Sequence, residues 1–137
     1  NLVNPAVLSE LMKSEKNNKG GSFTVRSRST GKDFTYRIAR SEFKNRWYTQ
    51  VYIETQYLQF RHLGVYKDHA IFKKGQKVVT PAAQGIAWIL NNIQAGKIKA
   101  IETQAEILHL GSCIKCGKTL TDATSISIGL GPHCRAY

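Results

Sequence analysis

The stretch that settles the fold class runs Phe23-Thr24-Val25-Arg26-Ser27-Arg28, Ser29-Thr30-Gly31-Lys32, Asp33-Phe34-Thr35-Tyr36-Arg37-Ile38. Phe23 and Val25 alternate with Thr24, Arg26 and Arg28, and Phe34, Tyr36 and Ile38 alternate with Thr35 and Arg37. A period of two places successive side chains on opposite faces of a strand. Two such runs around a short Gly-containing connection make a β-hairpin. One face is apolar and the other carries arginine, as in an antiparallel sheet packed on one side and solvated on the other.

Further strands follow. Trp47 to Glu54 is rich in aromatic and β-branched residues (Trp47, Tyr48, Val51, Tyr52, Ile53) and reads as a third strand. Tyr57 to Tyr66 reads as a fourth, interrupted at Gly64, and Ala70-Ile71-Phe72 with Lys77-Val78-Val79 suits a short further strand or an edge. Sequential strands joined by short connections form an antiparallel meander, since parallel neighbours need long crossovers. Thr80-Pro81 then opens a helix, with Thr as cap and Pro in the first turn. Ile86, Ile89, Leu90 and Ile93 lie on one stripe of it, and Gly96 ends it. Trp88 lies off that stripe and either widens the buried face, the preferred reading, or contacts the cysteine-rich tail. Lys97 to Leu110 reads as a link into the tail.

On the N-terminal side, Val7, Leu8, Leu11 and Met12 predict one short amphipathic helix over Pro5 to Lys16, capped by Asn4. Asn17-Asn18-Lys19-Gly20-Gly21 reads as a flexible joint.

At 137 residues, the chain is about one domain's worth. With 42% hydrophobic and 21% charged residues it has the composition of a globular protein, and three prolines and eleven glycines exclude a collagen-like or low-complexity chain. No run approaches the ~20 apolar residues of a membrane-spanning helix. Asn1-Leu2-Val3-Asn4-Pro5 lacks the basic head and apolar block of a signal peptide. The expectation is a cytoplasmic protein with no membrane partner.

Three cysteines, Cys113, Cys116 and Cys134, cannot all pair, and all fall in the last quarter of the chain. That clustering suits a metal site in a reducing compartment. The pattern is His109-x3-Cys113-x2-Cys116-x17-Cys134. Zn2+ takes four ligands in a tetrahedral array and favours thiolate and imidazole. Cys113, Cys116 and Cys134 supply three. For the fourth, His109 is preferred over His133 or a carboxylate, because adjacent side chains such as His133 and Cys134 point apart on an extended backbone. A site closed by four protein ligands is structural. A redox dithiol is the competing reading of Cys-x2-Cys, but such motifs begin a helix in a βαβ setting, which is lacking here.

The segments His109-Leu110-Gly111-Ser112-Cys113-Ile114-Lys115-Cys116-Gly117-Lys118-Thr119-Leu120 and Ser125-Ile126-Ser127-Ile128-Gly129-Leu130-Gly131-Pro132-His133-Cys134 resemble the two halves of a tail motif. It is found in uncharacterised bacterial and bacteriophage proteins carrying a C-terminal zinc knuckle. The resemblance implies a treble-clef-like zinc finger bound by His109, Cys113, Cys116 and Cys134, and no established activity. The resulting expectation is an α+β protein: an antiparallel four-stranded β-sheet with one packed helix, an N-terminal helix and a C-terminal zinc knuckle. Residues 1–20 hold the N-terminal helix and linker, 21–100 the sheet plus helix, and 101–137 the knuckle, which forms one compact unit with 21–100.

Twenty Lys and Arg against nine Asp and Glu give a net charge of +11. Such a surplus points to a polyanionic partner, nucleic acid first. Between Gly21 and Lys77 there are twelve basic and four acidic residues. Alternation puts Arg26, Arg28 and Arg37 on the solvated face, with Lys32, Arg40, Lys44 and Arg46 extending the patch. Tyr48 and Tyr52 share a face of the third strand, and on the arginine face they would stack on bases while guanidinium groups hold phosphates. The expected function is therefore nucleic-acid binding, to DNA or RNA and to single strand or duplex. The alternative is a protein-interaction module, such as a phage factor that binds a host protein. Catalysis has little support: Asp68-His69 and nearby His62 match no metalloprotease, phosphate-loop or nucleophile-elbow pattern.

Overall fold

The computed structural model describes residues 1–16, 18–57 and 59–135. Asn17 in the expected joint, Leu58 in the expected fourth strand, and Ala136 and Tyr137 after the last cysteine lie outside them. The strands are β1 (Leu2–Val3), β2 (Ser22–Ser27), β3 (Asp33–Phe43), β4 (Arg46–Gln56), β5 (Gln59–Lys67), β6 (Ala70–Lys73), β7 (Gln76–Lys77) and β8 (Ala105–His109). They form one antiparallel sheet in the order β1-β8-β2-β3-β4-β5-β6-β7. The helices are α1 (Leu8–Lys13), α2 (Pro81–Gln94), α3 (Ile98–Gln104) and α4 (Ala123–Ile128), with a 3-10 turn over Pro5–Val7.

The α+β class and the antiparallel hairpin stand, with Phe23 opposite Tyr36 and Val25 opposite Phe34. The sheet has eight strands where four were expected, and several helices where one packed helix and an N-terminal one were expected. Part of the difference lies in the turns. Lys44-Asn45, Asp68-His69 and Lys74-Gly75 each have positive φ at both residues, the conformation of two-residue type I′ hairpin turns. Each turn lets the next strand pair at once, so β3 and β4 run to eleven residues each and the meander continues to β7. The rest lies in the expected link from Lys97 to Leu110, which is α3 followed by β8, and β8 is inserted between β1 and β2.

Helix α2 behaves as its sequence requires. The Thr80 hydroxyl accepts the Ala83 N–H, and Ile86, Ile89, Leu90 and Ile93 are all buried. It crosses the apolar face of the sheet, where the buried Tyr36 hydroxyl donates to the Ala82 carbonyl at 2.7 Å. Burial pushes the Tyr36 phenol up, so it remains a protonated donor. Trp88 does not widen this buried face. It is 40% exposed at the mouth of an apolar hollow lined by Val25, Phe34, Tyr36 and Gly85. The N-terminal helix is shorter than expected, yet Leu8 and Leu11 join the same core cluster as Ile38 and Ile86. Burial of each such leucine is worth about 1.5–3 kcal/mol. Among the described residues no helix is long and apolar enough to cross a membrane.

The sheet meets the tail at Gly21. Its N–H donates to the Ile114 carbonyl at 2.9 Å, and a Cβ there would lie 1.9 Å from the Cys113 oxygen. Only glycine allows two backbones to approach so closely.

Candidate metal centre and basic sheet face

Beyond β8 the chain forms a small hairpin. Leu120 N–H donates to the Gly111 carbonyl at 2.9 Å, Cys113 N–H to Lys118 at 2.8 Å, and Gly117 N–H to Cys113 at 2.8 Å. The Cys113–Cys116 turn is therefore held by main-chain bonds. Helix α4 is capped by the Asp122 carboxylate, which accepts the Ser125 N–H at 3.0 Å. It ends at Gly129, left-handed with φ +87°, the usual αL stop. Ile114 N–H donates to the Gly129 carbonyl at 3.1 Å, which brings the returning chain beside the hairpin. As a result the Sγ atoms of Cys113, Cys116 and Cys134 all lie within 4.8 Å of one another.

This donor set fits a metal ion. Tetrahedral coordination with Zn–S bonds of about 2.3 Å separates sulfurs by about 3.8 Å, within that limit. The electrostatics agree. Burial pushes the Cys113 thiol up, but the Gly131, Cys116 and Lys115 backbone groups and the Cys116 thiol more than offset it, leaving Cys113 below the ordinary thiol range. Cys134 is pushed up to about 12, first by burial, then by its hydrogen bond with Cys116 and the nearby Cys113 thiolate. One thiolate is welcomed and a second is opposed. A dication among the three sulfurs reverses that opposition.

The structure does not bring His109 to the sulfurs. Among the described residues, the mutually close ligand atoms are those of the three cysteines alone. His109 is 2% exposed. Its Nδ1 accepts the Gly111 N–H at 3.0 Å, and its Nε2 lies 2.6 Å from the Ile126 carbonyl oxygen. A carbonyl can only accept, so these two partners set the tautomer with the proton on Nε2. The imidazole is a strut joining the end of β8 to the hairpin and to α4. The His133 and Glu15 ligand atoms are not in that close group either, but both residues line a hollow that also holds Cys116 and Cys134. Glu15 lies about a hundred residues away in sequence, and its place beside the cysteines was not legible from spacing.

Residues 103–137 match a family of unknown function, DUF6011. The match covers α4 and all three cysteines, together with the end of α3 and β8. Searches of curated proteins and of solved structures each return no match.

The expected basic patch is assembled differently from its sequence reading. Arg26 and Arg37 do share the solvated face, separated by the Thr24–Thr35 pair, whose hydroxyls are bonded at 2.7 Å. Arg26, however, faces Asp33 at 3.6 Å. Arg28 leaves the patch: its Nε donates to the Glu102 carbonyl at 2.7 Å, and Nη1 lies 3.7 Å from Glu106. Arg40 has the core-side parity of Tyr36 and Ile38, and it anchors the exit of α1 by donating from Nε to the Ser14 carbonyl at 2.7 Å and from Nη1 to Thr49 Oγ1 at 2.9 Å. Burial draws the Arg40 guanidinium below its ordinary range, with the Glu15 carboxylate working the other way. Lys32 lies at the rim of the apolar hollow beside Trp88. Lys44 occupies a turn with its Nζ 5.3 Å from the Phe43 ring centre, and Arg46 opens β4 at the same end. Tyr48 stands opposite Ser41, and Tyr52 stands opposite Arg37. Asp68 and His69 make the exposed turn between β5 and β6.

Proposed function

We propose that this is a small nucleic-acid-binding protein whose tail is held by a structural Zn2+ on Cys113, Cys116 and Cys134, with His133 as the fourth ligand. The objection to adjacent ligands assumed an extended backbone. Residues 131–135 instead form a tight turn, in which Cys134 N–H and Arg135 N–H both donate to the Gly131 carbonyl. When bound, the ion supplies folding free energy to the tail and neutralises the thiolates, and the chemistry of the protein resides in its sheet.

The observation that carries the binding reading is the pairing of Arg37 with Tyr52 across β3 and β4, on the solvated face of a stretch with twelve basic and four acidic residues. Guanidinium groups hold phosphates and tyrosine rings stack on bases. Binding to DNA or RNA should weaken about fiftyfold (single strand) to about 150-fold (duplex) between ~50 and ~200 mM salt if four phosphates are contacted. Affinity that stays flat over that range overturns the electrostatic mode.

A protein partner is the second reading, favoured by the exposed Trp88 beside Phe34, since exposed aromatic anchors are common hot spots. A partner that co-purifies after nuclease treatment and is lost in Trp88→Ala supports it. Co-purification abolished by nuclease supports nucleic acid.

A further inference from the structure

The solvated face of β3, β4 and β5 contains an open hollow of about 810 Å³, within the size range of small-ligand sites. Lys19, Arg37, Ser41, Gln50, Tyr52 and His62 line it, and among the described residues no acidic side chain does. The Arg37 guanidinium lies 4.3 Å from the Phe60 ring centre, a cation–π contact. Its Nε is buried and finds no hydrogen-bond partner among the described residues. A buried unpaired donor is costly, and a charged donor more so. An anion in the hollow would meet the outer nitrogens of the same guanidinium, whose fork suits a phosphate or carboxylate oxygen pair.

The floor of the hollow is pre-ordered. His62 Nε2 and Gln50 Oε1 are 2.7 Å apart, and Gln50 Nε2 donates to Ser41 Oγ at 3.2 Å. The Gln50 oxygen must accept, so His62 Nε2 donates and the Ser41 hydroxyl keeps its own proton for another acceptor. Tyr52 is braced edge-on by His62, with ring centres 5.2 Å apart. A ring already held in place loses little entropy when a second ring stacks on it.

We infer that this hollow seats one nucleotide of a single strand, with its phosphate on Arg37 and Lys19 and its base against Tyr52. The inference rests on the nucleic-acid reading above and narrows it. A flat basic face serves single strand and duplex alike, but an aromatic ring inside a concavity is reached only by a base free to leave its stack.

The test uses the full metal-loaded chain, a short labelled oligothymidylate and a duplex of equal length at ~50 mM salt. The strand should bind at least about tenfold more tightly than the duplex. Tyr52→Leu should weaken strand binding about five- to a hundredfold while Tyr52→Phe leaves it nearly intact. Arg37→Gln should reduce the salt slope by about one phosphate contact, whereas Lys99→Ala, which removes the same charge from exposed α3, should leave Tyr52-dependent discrimination unchanged. Melting temperatures check folding, and Arg37→Gln decides the matter if Tyr52→Leu does not fold. Equal binding of strand and duplex, or Tyr52 and Arg37 variants no weaker than Lys99→Ala, overturns the seat while leaving nucleic-acid binding standing. Competition by thymidine monophosphate as effective as the strand, per nucleotide, overturns the strand assignment in favour of a free nucleotide. No binding of either nucleic acid defeats both readings.

Discussion

Replacing His109 with Ala separates a strut from a metal ligand. The imidazole is 2% exposed and joins two backbone groups, the Gly111 N–H and the Ile126 carbonyl. Its removal leaves both without that partner, at about 1–3 kcal/mol each, so a loss near 3 kcal/mol is expected where water reaches one of them. For a domain of this size that lowers Tm by roughly 10 °C. His109→Asn restores an acceptor near the position of Nδ1 and should recover about half of the loss, since one of the two bonds returns. Denaturant unfolding of the metal-loaded protein measures both. The ligand-field spectrum of the Co2+-substituted protein, read at saturating metal, should be unchanged in each variant, because the sulfurs and the fourth donor remain. A shift of those bands in His109→Ala that Asn does not reverse would refute the strut and restore His109 as a ligand.

Other outcomes follow from the same geometry. His133→Ala should shift the Co2+ bands, and unchanged bands would exclude His133 as fourth ligand. Strong chelation should expose amides over 109–135 to hydrogen exchange while those of α2 and β3–β5 stay protected, because the strand ladders and the buried face of α2 hold that part without the ion, although Cys113 belongs to the same core; uniform loss of protection would mean the ion holds the whole fold. Cys134, pushed up to about 12, carries its proton at neutral pH and must release it to bind metal. Apparent metal affinity should therefore rise with pH, about tenfold per unit for each proton displaced between roughly pH 6 and 8, and a chelator competition that shows no rise contradicts this. Gly21→Ala places a Cβ 1.9 Å from the Cys113 oxygen and strains the bond to Ile114. It should cost about 2–4 kcal/mol in denaturant unfolding, and a loss under ~0.5 kcal/mol would mean that the tail is not docked there.

Much of the local structure was legible. The alternation from Phe23 to Ile38 gave the hairpin its faces, and Thr80-Pro81 with the isoleucine stripe marked α2 closely. The Cys-x2-Cys turn and the third cysteine marked the residues whose sulfurs cluster. Misreadings arose where a local rule had two solutions. Ala70-Ile71-Phe72 with Lys77-Val78-Val79 reads as one short further strand or an edge, whereas the non-glycine turn at Asp68-His69 and the Lys74-Gly75 turn carry the meander into both β6 and β7. Ala105 to His109 alternates as a strand does, but its partners Leu2–Val3 and Ser22–Ser27 are about eighty to a hundred residues away. His109 matched a ligand by spacing, yet the two backbone groups that claim its ring belong to a turn and a helix end that meet only after α4 folds back.

The chain's own pattern thus determined strands β2 to β5, helix α2, their apolar faces and the Cys113–Cys116 turn, because periodicity and spacing act over a few neighbouring residues. Which arginines stay open to solvent, where β8 inserts, and that Arg37, Tyr52 and His62 share one hollow were decided by strand register. A one-residue slip in pairing would move every side chain to the other face, and that register is set jointly by contacts between segments distant in sequence.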